Sequence, residues 1–302
     1  PKPRQTFILD RGLYNQRGKP VTAAVPSWLL PLPKTEKPNR LDLARWLMNP
    51  KHPLTARVTV NRFWQMLFGV GLVKTTENFG VQTEYPRYPE LLDWLAAEFL
   101  ESGWDVKALI RTIVTSETYR RSSTISSFAE YERDPENRYL ARGSRFRMPS
   151  WMIRDQALAV SGLLNPQMGG KAVYSYQPTG IWAEATFGNK KFQQDKGKAL
   201  YRRSLYTYWR RIIGPTMFFD VAKRQVCEVK PLRTNTPMHA LTVMNDVTYV
   251  ESGRALADII LRDAKDDEAR LHLAVKRVLG RNASAKELTL LKLSLERGVA
   301  SF

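Results

Sequence analysis

The sequence contains almost none of the residues that build metal centres or disulfide frameworks. Cys227 is the only cysteine in 302 residues, so no disulfide can form within the chain. The three histidines, His52, His239 and His272, give no Cys/His cluster at the spacing of zinc or haem sites. We therefore expect no metal site and no cofactor in this chain.

Long apolar runs and catalytic signatures are absent as well. No run approaches the roughly 18 to 20 apolar residues that cross a bilayer, so we expect a soluble chain without a membrane span. The sequence holds no G-x-x-x-x-G-K phosphate loop, no nucleophile elbow and no H-E-x-x-H motif. Motifs alone therefore assign no reaction, and whether the chain is an enzyme stays open.

Positive charge is the strongest feature of the composition. Lysine and arginine number 47 against 29 aspartate and glutamate residues, which gives a formal net charge of +18 spread along the chain. Such a field favours polyanionic partners, whether nucleic acid, acidic polysaccharide, an anionic membrane surface or an acidic partner protein. The hydrophobic share of 43% and the aromatic share of 11% indicate a folded core.

The chain is expected to divide into a lead-in and a helical domain. Residues 1–40 are rich in proline, glycine and lysine, which predicts an extended segment that follows an upstream domain of the same polypeptide. Residues 41–302 show helical periodicity, and the irregular stretch 165–197 is the place where this domain could divide. The predicted fold class is mainly α: an irregular multi-helix globular domain with a proline-rich extended N-terminal lead-in and long loops.

Apolar periodicity and capping residues locate the helices. Residues 54–68 place Ala56, Val60, Phe63 and Trp64 on one helical face. Further helices are predicted at 41–47, 89–101, 105–114 and 151–164, and from Thr236, Asp246, Leu271 and Ser284, the last with a Ser284/Glu287 capping box and an end at Gly298. Residues 201–213 alternate like a strand and have the length of a helix, so both alternatives stay open.

Several ordered phrases resemble a known family. They are Leu54-Thr55-Ala56-Arg57-Val58, Val60-Asn61-Arg62-Phe63-Trp64, Phe68-Gly69-Val70-Gly71-Leu72-Val73, Pro89-Glu90-Leu91-Leu92-Asp93-Trp94-Leu95-Ala96, Gly103-Trp104, Ser116-Glu117-Thr118-Tyr119-Arg120, Asp134-Pro135-Glu136-Asn137-Arg138, Tyr201-Arg202-Arg203-Ser204-Leu205-Tyr206 and Arg233-Thr234-Asn235-Thr236-Pro237. Over roughly residues 10 to 262 the chain resembles the C-terminal planctomycete surface domain of unknown function. That domain is found in large exported planctomycete proteins of the cytochrome c type.

The resemblance implies context rather than chemistry. It implies an extracytoplasmic location, periplasmic or at the cell surface, haem c elsewhere in the full-length protein, and an association with the breakdown of complex polysaccharides. It supplies no catalytic residues. The family phrase before Ile153-Arg154-Asp155 contains a glutamate, whereas this chain reads Met148-Pro149-Ser150-Trp151, so a carboxylate at that place is not required here.

One group of candidate binding residues combines arginines with aromatic side chains. Arginine forks bind phosphate, sulfate and carboxylate, and aromatic faces stack on bases or sugar rings. The group is Lys196, Lys198, Arg202, Arg203, Arg210 and Arg211 with Tyr201, Tyr206, Tyr208 and Trp209. The simpler interpretation, which the residue types favour, places the aromatic rings in the core and the arginines in solvent or in ion pairs.

Two further groups contain carboxylates. Asp220 lies near Arg224, Arg233 and Asn235 in sequence, and it could act as a general base or form a structural salt bridge with Arg233. Polar residues also interrupt two apolar helices, where they either specify packing or converge on a cleft: Asn61, Arg62, Arg154 and Asp155. Asp155, Glu184 and Asp220 are the candidate catalytic acids, although sequence spacing cannot show the separation that glycoside hydrolysis needs.

These observations support three functional hypotheses. The first is an extracytoplasmic binding or scaffolding module for an acidic polysaccharide or an acidic partner domain, which the +18 charge without a catalytic motif favours. The second is a polysaccharide-acting enzyme that uses Asp220 or Asp155. The third is nucleic-acid binding, which fits the charge but not the exported location that the resemblance implies.

Overall fold

Helices dominate the protein, as the sequence predicts. The computed structural model describes residues 4–33, 38–125, 127–188, 191–210, 212–221, 227–229 and 233–300. Within these residues the regular structure consists of twelve α-helices, short 3-10 turns and one two-stranded antiparallel sheet. The predicted mainly α fold class is confirmed.

Backbone contacts divide the chain into two compact units, which meet in sequence between Phe146 and Arg147. Unit 1 is residues 1–146 and unit 2 is residues 147–302. Periodicity does not mark this position, and the expected lead-in at 1–40 and division within 165–197 stay predictions. Unit 1 contains β1 Thr6–Leu9, β2 Arg17–Val21, α1 Arg40–Leu47, α2 Thr55–Phe68, α3 Pro89–Glu101, α4 Val106–Thr115, α5 Glu117–Arg120 and α6 Phe128–Arg133.

The core of unit 1 lies between α2, α3 and α4. Val60 and Trp64 belong to the face that periodicity predicts for α2, whereas Phe68 and Val73 are not part of that prediction. The buried members of the core are Val60, Trp64, Phe68, Val73, Leu92, Leu95, Phe99, Leu109 and Ile113. Gly103 takes a φ of 69° after α3, and the Asp105 carboxylate accepts hydrogen bonds from the Lys107 and Ala108 amides at the start of α4. The cap residues therefore set the short link between these two helices.

Unit 2 combines a helical part with a long irregular segment. Its α-helices are α7 Ser150–Val160, α8 Ile181–Ala185, α9 Pro237–Asn245, α10 Val247–Asp263, α11 Asp267–Leu279 and α12 Ala285–Ala300. Helix α7 packs against α10 and α11. The Ser284/Glu287 capping box is present, because each backbone amide donates to the other residue's side chain at 2.9 and 3.3 Å.

Some elements differ from their sequence predictions. Helix α7 ends at Val160 rather than Leu164, because Gly162 adopts a left-handed φ of 73° and closes a turn onto Ala159. The described part of residues 201–213 is neither a strand nor an α-helix. It forms a 3-10 turn over Ser204–Tyr206 and a single bridge between Thr207 and Val173. The lead-in contains the β1–β2 hairpin.

Candidate functional site

Arg154, one of the predicted binding residues, is fully buried in unit 2. Its Nη1 donates to the carbonyl of Arg202 at 2.9 Å and to Ser204 Oγ at 3.2 Å, and its Nη2 donates to the Leu200 carbonyl at 2.8 Å. Asp155 Oδ1 lies 3.6 Å from Nη1 and accepts from the Ser204 amide and hydroxyl. Burial lowers the pKa of Arg154. This arginine therefore holds the chain at 200–204 in place.

Arg202 has a comparable structural role. It is 5% exposed, and it donates to the carbonyls of Lys171 and Gln167 at 3.0 Å and to that of Gly169. Its guanidinium lies 3.8 Å from the centre of the Tyr206 ring. The guanidinium of Arg202 is therefore bonded to three backbone carbonyls of residues 167–171.

The other predicted binding residues of this segment have different environments. Arg203 is exposed and Trp209 stacks on Phe218 with ring centres 5.7 Å apart. Burial lowers the pKa of Arg233. Arg224 and Arg211 fall outside the described residues. The described arginines of this segment are therefore divided between structural and exposed positions.

Asp220 belongs to a polar cluster in unit 2. Its backbone has a φ of 52°, unusual for a residue with a side chain. Its Oδ2 accepts from the Thr234 amide at 2.6 Å and its Oδ1 from the Thr234 hydroxyl at 2.8 Å. Burial alone would raise the pKa of Asp220, but these hydrogen bonds, with His239 and Arg147 nearby, hold it below its ordinary value. Both carboxylate oxygens thus have partners.

Two residues without an assigned role in the sequence complete this cluster. His239 is 8% exposed, stacks on Phe219 at 4.1 Å between ring centres, and places Nε2 3.8 Å from Asp220. Arg147 lies over Phe219 and donates to the Asn235 side chain. Arg147 also donates to the Thr234 carbonyl at 3.4 Å, so Asp220 and Asn235 are linked through Thr234 and Arg147.

The three candidate acids do not form a catalytic pair. Asp155 is bonded to Ser204 and Asp220 to Thr234, whereas Glu184 is exposed on α8. General acid and base catalysis in a glycosidase requires two carboxyl groups across one cleft. Asp155 and Asp220 are bonded to different residues and Glu184 is exposed, so none of these contacts pairs two of the candidate acids.

A cleft lies in unit 1, and neither of the two candidate residues of that unit, Asn61 and Arg62, is among the residues that line it. Its volume is about 360 Å³. Trp64 and Phe68 of α2 contribute to its lining, with rings stacked 4.1 Å apart at an interplanar angle of 10°. Two loops supply most of the remaining lining, and we call residues 69–88 the first rim segment and residues 134–145 the second.

Asn61 positions the first rim segment from below. The side chain is fully buried, its Nδ2 donates to the Val73 carbonyl at 3.0 Å, and its Oδ1 accepts from the Val73 amide at 2.9 Å. A Cβ at Gly71 would lie 2.5 Å from the Val73 carbonyl oxygen and 2.6 Å from Asn61 Nδ2, so the turn requires glycine there. Asn61 is therefore a positioning residue, and its helical neighbour Arg62 is exposed.

The second rim segment is organised by its own polar side chains. Asp134 accepts from the Arg138 and Tyr139 amides at 2.8 and 2.9 Å. Asn137 has a φ of 52°, and its Nδ2 donates to the Arg142 carbonyl at 2.7 Å. Arg142 in turn donates to the Asp134 carbonyl at 2.7 Å. These bonds fix a loop without regular secondary structure.

Charged side chains line the cleft, and positive ones outnumber negative ones. The lining contains four cations and two carboxylates: Lys74, Arg87, Arg138, Arg145, Glu84 and Glu136. Lys74 Nζ donates to both Glu136 oxygens at 2.8 and 3.0 Å, and Arg138 pairs with Glu84. The hydrogen bond from Lys74 lowers the pKa of Glu136.

The other two cations have no carboxylate partner. Arg87 lies 4.3 Å from the centre of the Tyr139 ring and donates to its hydroxyl at 2.8 Å. Arg145 is exposed. Within the described ranges, no ion pair includes either of them. The cleft can therefore offer guanidinium groups to an anion above an aromatic floor.

The chain belongs to the PSD1 family, whose model is described as a protein of unknown function (DUF1553) and matches residues 39–295. This is a family of uncharacterised domains, as the ordered phrases of the sequence indicate. No curated protein and no solved structure matches the chain significantly.

None of the described helices combines the length and the apolarity needed to cross a membrane. No group of three or more His, Cys, Asp or Glu side chains in these ranges is arranged to hold a metal ion.

Proposed function

We propose that this chain is a binding module for an acidic polysaccharide and that the cleft of unit 1 is its binding site. The observation that carries the proposal is the composition of that cleft, an aromatic floor under a rim with four cations and two carboxylates.

The cleft has the physical properties that an anionic sugar requires. Its volume of about 360 Å³ falls within the usual range of small-ligand sites. Tyr85 on the first rim segment is 78% exposed, so its ring face is available to the apolar face of a pyranose. Guanidinium groups such as that of Arg145 bind carboxylate and sulfate through two parallel hydrogen bonds. Ring stacking and ion pairing would therefore act on one ligand.

The charge of the whole chain supports the same partner. A formal net charge of +18 attracts polyanions over distances of about a Debye length and raises their rate of encounter. An acidic protein domain, including one upstream in the same polypeptide, would gain from the same field. The aromatic lining favours the saccharide, because sugar rings present flat apolar faces.

The cellular setting is also part of the proposal. We place this binding outside the cytoplasm, in an exported planctomycete protein that carries haem c in another part of its polypeptide. The support for this setting is the resemblance of the ordered sequence phrases alone.

Binding to defined oligosaccharides tests the proposal. Isothermal titration should show that a sulfated or uronic-acid hexasaccharide binds at about 0.05 M salt and much more weakly at about 0.5 M, while a neutral hexasaccharide binds poorly. Arg145→Ala and Arg87→Ala should each weaken acidic binding by about tenfold. Arg111→Ala removes an exposed arginine of α4 outside the cleft and should have little effect.

Two results would contradict the proposal. One is the absence of binding to every acidic saccharide at low salt. The other is an equal loss of affinity in the Arg145 and Arg111 variants, which would mean that charge alone, without the cleft, attracts the ligand. Gel shifts with random DNA and RNA under the same conditions test the nucleic-acid alternative, and stronger binding there than to any saccharide would replace the proposal with it.

A further inference from the structure

Two ion pairs at the cleft connect the two rim segments, and the cation comes from a different segment in each pair. The first segment contributes Lys74 and Glu84, and the second contributes Glu136 and Arg138. Each segment therefore supplies one cation and one carboxylate, and both pairs join the two loops. We call them the two rim ion pairs.

The rim ion pairs occupy groups that a ligand would otherwise use. Lys74 binds both oxygens of Glu136, and an Arg138 Nη2 hydrogen bond goes to Glu84. Arg87 and Arg145 remain without a carboxylate partner. The cleft thus has two cations that are open to an anion and two that are already neutralised by the protein.

Displacement of the glutamates is energetically accessible. The side chains of Glu136 and Glu84 are 57% and 50% exposed, so each can turn into water without a large desolvation change. Exposed ion pairs contribute only about 0 to 1 kcal/mol each, because water and salt screen them. A ligand anion that replaces a glutamate therefore exchanges one weak pair for another.

Charge density on the ligand decides whether this exchange occurs. The glutamates are tethered to the rim and compete at a high effective concentration, so a separate single anion displaces them poorly. A saccharide already held at Arg145 or Arg87 presents its next anionic groups at a similarly high effective concentration. It then competes on equal terms for Lys74 and Arg138.

From this geometry, and resting on the proposed function, we infer that Glu84 and Glu136 are specificity-determining residues. By competing for Lys74 and Arg138, they reduce the affinity of saccharides that carry an anionic group on every sugar more than the affinity of saccharides charged on alternate sugars only. The structural alternative is that the two rim ion pairs only tie the loops together. In that case their removal would loosen the cleft and weaken every ligand.

Substitution of the glutamates separates these outcomes. The variants are Glu84→Gln, Glu136→Gln and the double variant, which keep shape and remove charge. Glu101→Gln, at the exposed end of α3, is the matched control because it changes the net charge equally away from the rim. The probes are hexasaccharides of hyaluronan, with one carboxylate per disaccharide, and of chondroitin sulfate, with a carboxylate and a sulfate per disaccharide.

We expect the glutamate variants to discriminate more sharply between the two probes, because a ligand that must displace a glutamate gains most when that carboxylate is neutralised. The affinity for the chondroitin sulfate hexasaccharide should rise about threefold in each single variant and about tenfold in the double variant. The affinity for the hyaluronan hexasaccharide should rise much less, and Glu101→Gln should leave the ratio of the two affinities unchanged.

Other results have distinct meanings. If the unchanged protein binds both probes and the double variant keeps their ratio, or weakens both, the inference fails and the proposed function stands. If neither the unchanged protein nor any variant binds either probe at low salt, the proposed function itself fails.

Discussion

The buried side chain of Arg154 is expected to contribute strongly to the stability of unit 2. Arg154→Met removes the donor to the Leu200 and Arg202 carbonyls and leaves the Asp155 carboxylate without its cation. The loss of one partner of a buried charged network costs about 3–5 kcal/mol. We expect a loss of that size in urea denaturation. Arg203→Met, at an exposed position nearby, should change stability by no more than about 0.5 kcal/mol, and equal effects would contradict this role.

The stability of unit 1 should depend on pH through the protonation of His52. Its Nδ1 accepts from the Leu54 and Thr55 amides at 3.2 Å, at the start of α2, which requires a neutral ring. Burial lowers its pKa from the ordinary 6.5. The unfolded chain therefore takes up the proton first as the pH falls. The stability from this site is complete above pH 6.5 and is lost as the pH falls through 6.5 toward the lower folded pKa.

A variant whose side chain at position 52 cannot be protonated tests this dependence. In His52→Asn the side-chain oxygen can accept the same amide hydrogens but does not titrate. Thermal unfolding at about pH 7.5 and about pH 5 should show a smaller acid loss in this variant than in the unchanged protein. Equal losses would show that His52 does not couple α2 to pH.

At the scale of elements, the first rim segment depends on the turn at Gly71. Gly71→Ala places a methyl group 2.5 Å from the Val73 carbonyl oxygen, so the Asn61 clamp must shift. We expect a loss of about 1–3 kcal/mol, as for overpacking elsewhere, together with weaker saccharide binding. Gly253→Ala, in α10 with open space at its Cβ, should instead be neutral or stabilising by up to about 1 kcal/mol. Denaturation of both variants checks the contrast.

Local signals predicted the helices well but left the conformation of residues 201–213 open. Helices α2, α3 and α4 follow from apolar spacing and from the Asp105 cap, which act over a few residues. The ambiguous stretch after Tyr201 takes its shape from bonds to Arg154 and Arg202, whose partners lie 31 to 50 residues away. Secondary-structure propensity depends on neighbouring residues only, so it cannot predict contacts between residues so far apart in sequence.

The candidate site was less predictable still. Asn61 stood out because a polar residue interrupts an apolar face, and the structure gives it a positioning role. Arg87 and Arg145 did not stand out, because an isolated arginine in a loop has the pattern of a solvated residue. Only the fold brings the segments around residues 74 and 136 together, 62 residues apart in sequence.

For the whole molecule, the division at Phe146 predicts that unit 1 is autonomous. Its core cluster is drawn entirely from residues 60–113, and every residue that lines the cleft lies before Phe146. We expect a fragment of residues 1–146 to show a cooperative thermal transition and to bind acidic saccharides as the full chain does. A fragment without cooperative unfolding would show that unit 1 requires the rest of the chain.

Arg154 and Arg202 count toward the formal charge of the chain, but their burial keeps reagents in solution from reaching them. A dicarbonyl reagent that modifies guanidinium groups should label Arg145 and Arg87 quickly and the two buried arginines only when unit 2 opens. Peptide mapping of the modified protein would thus distinguish the solvent-exposed arginines from the buried arginines that bond to backbone carbonyls. A polyanion seated in the cleft should shield the first group and leave the second as it was.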